Sequence, residues 1–118
     1  MKNILHVDDD DEILCLVKEL IRSLNFTGVI HSYNDPEEAL KIIKDQDTEW
    51  DLLITDYDMP QMNGMDFARG AKKLSNAPII LFSGSNIVFD NACKEVFDFS
   101  ISKCNLQLFH QELTKLLA

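Results

Sequence analysis

The residues best suited to chemistry are acidic and fall in two groups. Asp8, Asp9, Asp10 and Asp11 run consecutively and are followed by Glu12, while Asp56 and Asp58 stand further along on either side of Tyr57. Carboxylates brought together repel, which raises some of their pKa values or draws in a cation. A hard oxygen donor set with room for water suits Mg²⁺, which prefers one or two carboxylates, waters and phosphate oxygens around it. A divalent cation reverses the local field and lets an anionic phosphate approach. A carboxylate can then act as the nucleophile toward phosphorus and form an acyl phosphate. The transferring group needs positive charge and donors around its equatorial oxygens. Ser83 offers a hydroxyl for this and Lys103 an ammonium.

These groups meet only if the chain folds to bring them together, and its hydropathy pattern supplies the elements. Ile4 to Val7 is a short apolar-biased run that ends abruptly in acid, as a buried strand does. From about Asp10 to Leu24 the chain carries Ile13, Leu16, Val17, Leu20, Ile21 and Leu24, the i, i+3, i+4, i+7 pattern of an amphipathic helix. Its acidic first turn suits the positive end of the helix dipole. Val29 to Tyr33 reads as a second strand. Asp35 is the expected N-cap of a second helix, with Pro36 at its first position, Glu38 at its third, and Ala39, Leu40 and Ile43 as its buried stripe. Leu52 to Thr55 is the third strand, and it too ends in an acid, Asp56. A turn with Pro60 and Asn63-Gly64 leads to a helix over about 65–74. Pro78 opens a fourth strand, Ile79 to Phe82, which runs into Ser83-Gly84-Ser85. A helix over 88–96, a short strand over 99–102 and a helix over 106–117 complete the chain. The last helix carries Leu106, Phe109, Leu113, Leu116 and Leu117 on one face.

Five strands alternating with helices imply a parallel α/β sheet with helices on both faces and right-handed crossovers. In such sheets the site lies at the carboxyl ends of the strands. Asp8 and Asp9 follow the first strand, Asp56 the third, Ser83 the fourth and Lys103 the fifth. The strand-end rule therefore gathers the chemically capable residues at one end.

Composition narrows the function. A chain of 118 residues with 46% apolar content suits one domain with a single good core. Against 20 Asp and Glu stand 11 Lys and Arg, a net charge of −9. That surface repels nucleic-acid phosphates and anionic lipid, so direct nucleic-acid or membrane binding is not expected. The three cysteines, Cys15, Cys93 and Cys104, are odd in number and lack CxxC spacing. They suit a reduced, cytoplasmic setting rather than a disulfide framework or zinc site. Nothing near the N-terminus is long enough to be a signal peptide or a membrane span.

Two segments carry a family resemblance. Ile4-Leu5-His6-Val7-Asp8-Asp9-Asp10 and Asp51-Leu52-Leu53-Ile54-Thr55-Asp56-Tyr57-Asp58-Met59-Pro60-Gln61-Met62-Asn63-Gly64 resemble the receiver domain of two-component response regulators. The most specific part is Asp56-x-x-x-Pro60-x-x-x-Gly64 combined with the upstream acidic pair. The resemblance covers essentially the whole chain. It implies a flavodoxin-like (βα)5 fold with strand order 2-1-3-4-5, forming a single receiver domain over residues 1–118 with no output domain. By position it makes Asp56 the phospho-acceptor. Asp8, Asp9 and Asp56 would hold Mg²⁺, with the backbone carbonyl of Asp58 as a further ligand. Ser83 would be the switch hydroxyl and Lys103 the lysine that pairs with the phosphoryl group. Gly84 would keep the site open, and Asp58, Ser85 and Pro60 would flank it. The implied partners are a sensor histidine kinase or phosphotransfer protein and a downstream target protein, and the implied state is a monomer or a phosphorylation-dependent dimer. The implied activity is a phosphorelay step in which the chain catalyses only its own phosphorylation and dephosphorylation. The chain departs from the family pattern in its second half. Ser100 stands where an aromatic is usual, and Cys104 follows the lysine in place of proline.

Plainer readings stand beside these. A run of charge such as Asp8 to Asp11 is ordinarily a solvated helix start, and Asp10 suits that role better than a ligand's. His6 within the first strand reads as a core histidine, His31 and His110 as edge or surface residues, and Met59, Met62 and Met65 as loop packing. A haloacid-dehalogenase-type phosphatase would share the Asp56-Tyr57-Asp58 motif, but 118 residues leave no normal space for its later motifs. A flavodoxin-like cofactor module would need a hydroxyl- and glycine-rich loop where this chain has acid. A degenerate receiver that only mediates protein contacts is the third alternative.

Overall fold

The computed structural model describes residues 2–45, 47–84 and 91–117. Its elements are β1 (Lys2–Val7), α1 (Asp11–Ser23), β2 (Gly28–Tyr33), α2 (Pro36–Lys44), β3 (Leu52–Thr55), α3 (Gly64–Lys72), β4 (Ile79–Ser83), α4 (Asn91–Val96), β5 (Phe99–Ser102) and α5 (Leu106–Leu116). The strands pair in parallel in the order β2-β1-β3-β4-β5. The expected fold class and strand order are therefore present. The expected start of the fourth helix, at Val88, lies outside the described residues.

Local chemistry sets the helix starts. Asp10 caps α1, its Oδ1 accepting the Glu12 N–H at 3.0 Å. Asp35 caps α2 ahead of Pro36, accepting the Glu37 N–H at 2.9 Å. Asn63 caps α3, accepting the Asp66 N–H at 2.8 Å. Each cap satisfies a donor that the first turn cannot use internally. At the other end of α1, Asn25 takes a left-handed conformation, with φ of 57°, as asparagine does where a helix stops.

Alternation along the strands sends successive residues to opposite faces. Leu5, Val7, Leu53, Ile79 and Leu81 pack with α2, α3 and α4. Ile4, Leu52, Ile54, Ile80 and Phe82 pack with α1 and α5. On that second face Phe82 and Phe109 stack, with ring centroids 4.1 Å apart and planes 10° from parallel. The central strands are buried on both faces, which explains their continuous apolar sequence.

Two helix stripes differ from expectation. Leu16 is 41% exposed, and Leu14 takes the buried place beside Val17 and Ile21. In α5, Phe109 and Leu113 are buried but Leu106, the first residue of the helix, is exposed. Trp50, to which the sequence assigns no role, is buried and meets His31 edge-on at 4.8 Å. Among the described residues no disulfide forms, and no helix is long and apolar enough to cross a membrane.

Candidate phosphoryl-acceptor site

Strand register brings the acids together. Val7 of β1 lies opposite both Tyr33 of β2 and Thr55 of β3. The next residues continue the ladder: the Asp8 N–H donates to the Tyr33 carbonyl and the Asp56 N–H to the Val7 carbonyl, each at 3.1 Å. Asp8 and Asp56 thus emerge side by side from adjacent strands. One carboxylate oxygen from each of Asp8, Asp9 and Asp56 lies within 4.8 Å of the others. Asp8 and Asp56 are buried, whereas Asp9 is exposed at the mouth.

The loop after Asp56 is held from both sides. Asp56 Oδ1 accepts the Tyr57 N–H at 2.8 Å, and the Thr55 hydroxyl donates to the Asp56 carbonyl at 2.8 Å. The Gly64 N–H donates to the Tyr57 carbonyl at 2.7 Å. A Cβ at Gly64 would collide with the Asp56 carbonyl oxygen and the Tyr57 Cα. The α3 start can therefore close on the loop after Asp56 only with glycine there.

β4 and β5 add the remaining groups. Ser83 pairs with Ser102 in register, and the Lys103 N–H donates to the Ser83 carbonyl at 3.0 Å. The Ser83 side chain hydrogen-bonds the Asp56 carboxylate. Lys103 Nζ lies 2.8 Å from Asp8 Oδ2 and 3.4 Å from Asp56 Oδ1. The sequence pairs Lys103 with the acceptor side; its shorter contact is to Asp8, which only the three-dimensional path of β5 makes visible.

The electrostatics follow from burial. Desolvation pushes the Asp8 carboxyl up to about 6, the nearby Asp56 charge adds to this, and Lys103 and the Asp10 N–H oppose it. Asp56 is also raised by burial, against the pull of Lys103, the Tyr57 N–H and Ser83. Burial disfavours the Lys103 charge, but Asp8 and Asp56 outweigh that and hold its pKa above the ordinary value. Asp8 Oδ1 accepts the Asp10 N–H at 2.9 Å, while Asp8 Oδ2 has the ion pair with Lys103 and no aligned hydrogen bond. Three converging carboxylates, one buried oxygen lacking a hydrogen bond, and no nitrogen or sulfur donor in the cluster fit a hard divalent cation such as Mg²⁺.

The other expected site residues take plain positions. Pro60 and Asp58 are exposed in the loop after Asp56. Gly84 is exposed, and a Cβ there would meet only Lys103 Cδ, at 3.8 Å. Ser85 lies outside the described residues. Ser100 is exposed, while Phe99 packs on the opposite face with the α1/α5 core. His6 is fully buried in β1, as expected of a core histidine. Met59 is buried, and Met62 and Met65 pack beside it. The sequence offers no sign of the Thr55 bond to the acceptor loop, since a threonine closing a strand is ordinary.

Known proteins share these features. The family model for the response regulator receiver domain matches residues 4–107. The transcriptional regulatory protein CpxR of Escherichia coli is 33% identical over 90 residues, which is 76% of this chain and 37% of CpxR. The chain thus spans little more than a third of that relative's length. The response regulator protein TrrA of Thermotoga maritima, solved in complex with Mg²⁺-BeF, superposes with a TM-score of 0.81 at 32% identity, covering 99% of this chain and 100% of TrrA. A second structure, of histidine kinase ThkA in complex with TrrA, gives the same TM-score and identity with 100% of both chains covered. With the fold, the strand order and the converged acids all in agreement, the chain belongs to the response regulator receiver domain family of two-component signalling.

Proposed function

We propose that Asp56 accepts a phosphoryl group from a phosphohistidine, carried by a sensor histidine kinase or a phosphotransfer protein. The observation that carries this reading is the convergence of Asp8, Asp9 and Asp56 beside Lys103 and Ser83 at the carboxyl end of the sheet. A carboxylate oxygen of Asp56 attacks phosphorus, the P–O bond forms as the P–N bond breaks, and the electron pair leaves with the histidine nitrogen. Asp8, Asp9, Asp56 and the backbone carbonyl of Asp58 would hold Mg²⁺, which when bound supplies the positive charge that keeps the carboxylates ionised and offsets the incoming phosphoryl charge. The Tyr57 N–H fixes the orientation of the Asp56 carboxylate. Lys103 stands ready to neutralise a phosphoryl oxygen, and the Ser83 hydroxyl to donate to one. Gly84 leaves room beside Lys103, while Pro60, Asp58 and Ser85 flank the acceptor. No separate substrate is turned over; the phosphoryl group rests on the chain itself until water hydrolyses the acyl phosphate, which restores the Asp56 carboxylate and releases inorganic phosphate.

Two likenesses support the reading: TrrA was solved with Mg²⁺-BeF, and TrrA was also solved with a histidine kinase. The reduced cysteines and acidic surface suit a cytoplasmic setting and a protein target rather than nucleic acid. The test is intact mass after incubation with acetyl phosphate and Mg²⁺. One added phosphoryl group is expected, lost in Asp56→Asn and in EDTA. A gain that persists in Asp56→Asn, or no gain in wild type with acetyl phosphate or a phosphorylated histidine kinase, overturns it.

A further inference from the structure

The end of the sheet opposite Asp56 carries a second concave site. There the α2–β3 and α3–β4 connections enclose a cavity of about 700 Å³, within the range of ligand and side-chain pockets. Its apolar lining includes Ile43 and Trp50, both buried, and Leu74, which is 40% exposed. Asp47, Glu49 and Asp51 also line it, and no lysine, arginine or histidine does. Asp51 is engaged, accepting the Asn3 N–H at 2.8 Å. The side chains of Asp47 and Glu49 have neither hydrogen bond nor ion pair among the described residues. Trp50 is only 7% exposed, and its indole N–H has no acceptor among the described residues.

We propose that this cavity docks a basic segment of a partner protein, a lysine or arginine beside an apolar residue. Charge complementarity selects the cation, since two unpaired carboxylates face a cavity with no positive group of its own. The apolar lining selects what carries it. The aliphatic stem of a lysine or arginine covers Leu74 and the small exposed part of Trp50 while its charged head stays with the acids. A small inorganic cation would leave the apolar surface uncovered. Because the cavity and Asp56 lie at opposite ends of the sheet, a segment docked here leaves the acceptor open to a phosphoryl donor. One chain can hold both at once.

Trp50 is the single tryptophan of the chain, so its emission reports the cavity directly. The full chain is titrated with acetylated, amidated Lys-Leu-Lys-Leu, with Glu-Leu-Glu-Leu, and with spermidine. A saturable change is expected with the lysine peptide alone, weakening with added salt and at least fivefold weaker in the Asp47→Asn/Glu49→Gln variant. Both substituted residues are exposed, so the variant keeps its fold. No saturable change, an equal response to the glutamate peptide, or unchanged affinity in the variant overturns the proposal. An equal response to spermidine overturns it too, in favour of a small-cation site. Phosphorylation of Asp56 in the same variant, read by mass, should match wild type, so failure here and failure of the acceptor reading are distinguishable.

Discussion

Lys103 sits closer to Asp8 than to Asp56, at 2.8 Å against 3.4 Å. The amine is thus anchored to the first strand's acid and leans on the acceptor, so it bridges β5 to the centre of the sheet before any phosphoryl group arrives. Removing it leaves Asp8, wholly buried, without its ion-pair partner. Breaking such a pair costs roughly 3–5 kcal/mol where the charge stays buried, but protonation of Asp8 or a divalent cation relieves the loss. Lys103→Met should therefore be clearly less stable in EDTA at pH 8 and recover much of that with Mg²⁺. Its phosphorylation by acetyl phosphate at saturating Mg²⁺ should slow by about 100- to 1000-fold, the usual effect of losing one transition-state donor. Urea midpoints with and without metal, and the rate of mass gain, check the two halves.

The acid stability of the metal-free protein depends on buried groups acting in opposite directions, Asp8 and Asp56 one way and His6 the other. Asp8 titrates at about 6 in the fold against 3.8 unfolded. Its contribution is present below 3.8 and is lost as pH rises through 6, amounting to about 3 kcal/mol. His6 is held neutral by burial and by the Lys103 charge, its pKa lowered to about 3 from 6.5. Its contribution is present above 6.5 and is lost as pH falls toward 3, about 5 kcal/mol. Between pH 6 and 4 the two slopes largely cancel. Below that Asp8 has nothing more to give while His6 still charges, so stability falls. Denaturant unfolding in EDTA should show a plateau and then a steep loss below about pH 4. In His6→Leu the plateau should become a rise on acidification.

Metal binding should carry the opposite pH dependence. Asp8 and Asp56 both have raised pKa values, with burial as the leading cause, and a cation must displace their protons. The thermal upshift produced by Mg²⁺ should thus be larger at pH 8 than at pH 5. Asp56→Asn removes one of the crowded charges, so in EDTA at pH 8 it should unfold at higher temperature than wild type and respond less to Mg²⁺. Thermal unfolding of both proteins at the two pH values gives the comparison.

Gly64 and Gly84 should differ sharply when replaced by alanine. At Gly64 the new Cβ meets backbone, the Asp56 carbonyl and the Tyr57 Cα, which cannot move without shifting the acceptor. Gly64→Ala should cost about 1–3 kcal/mol or more and slow phosphorylation. At Gly84 the same atom makes an ordinary contact with the flexible Lys103 side chain, so Gly84→Ala should stay within about 0.5 kcal/mol of wild type. Equal losses at both positions would contradict this account of the loop.

The fold and the acidic centre were legible in the sequence for a physical reason. Parallel strands buried on both faces must be continuous apolar runs, so the abrupt change to Asp8 and Asp56 marked where each strand left the core. The helix starts at Asp10 and Asp35 were equally local, whereas Asn63, read only as part of a turn, proved to be the α3 cap. Contacts made between distant elements were not legible. The Lys103–Asp8 pair depends on how far β5 runs beside β4, and Trp50 takes its place through the α2/α3 side of the core and through β2, whose His31 it meets edge-on. Ser100 shows a limit of another kind: it is exposed on an edge strand, where either a polar or an aromatic residue satisfies the pattern.

One place in the α1 stripe was misread: Ile13, Val17, Leu20, Ile21 and Leu24 pack on the core as expected, but in the apolar run from Ile13 to Val17 the remaining place goes to Leu14 and not Leu16. Packing on the sheet chose Leu14, Val17 and Ile21 as the buried set and left Leu16 facing out. The two choices have different consequences. Leu14→Ala opens space against the core and should cost about 2–5 kcal/mol, depending on how far the site collapses. Leu16→Ala removes an exposed side chain and gains a better helix former, so it should lie within about 0.5 kcal/mol of wild type. Urea unfolding of the two single variants decides between the stripes, since the reverse order would put Leu16 back against the sheet in place of Leu14.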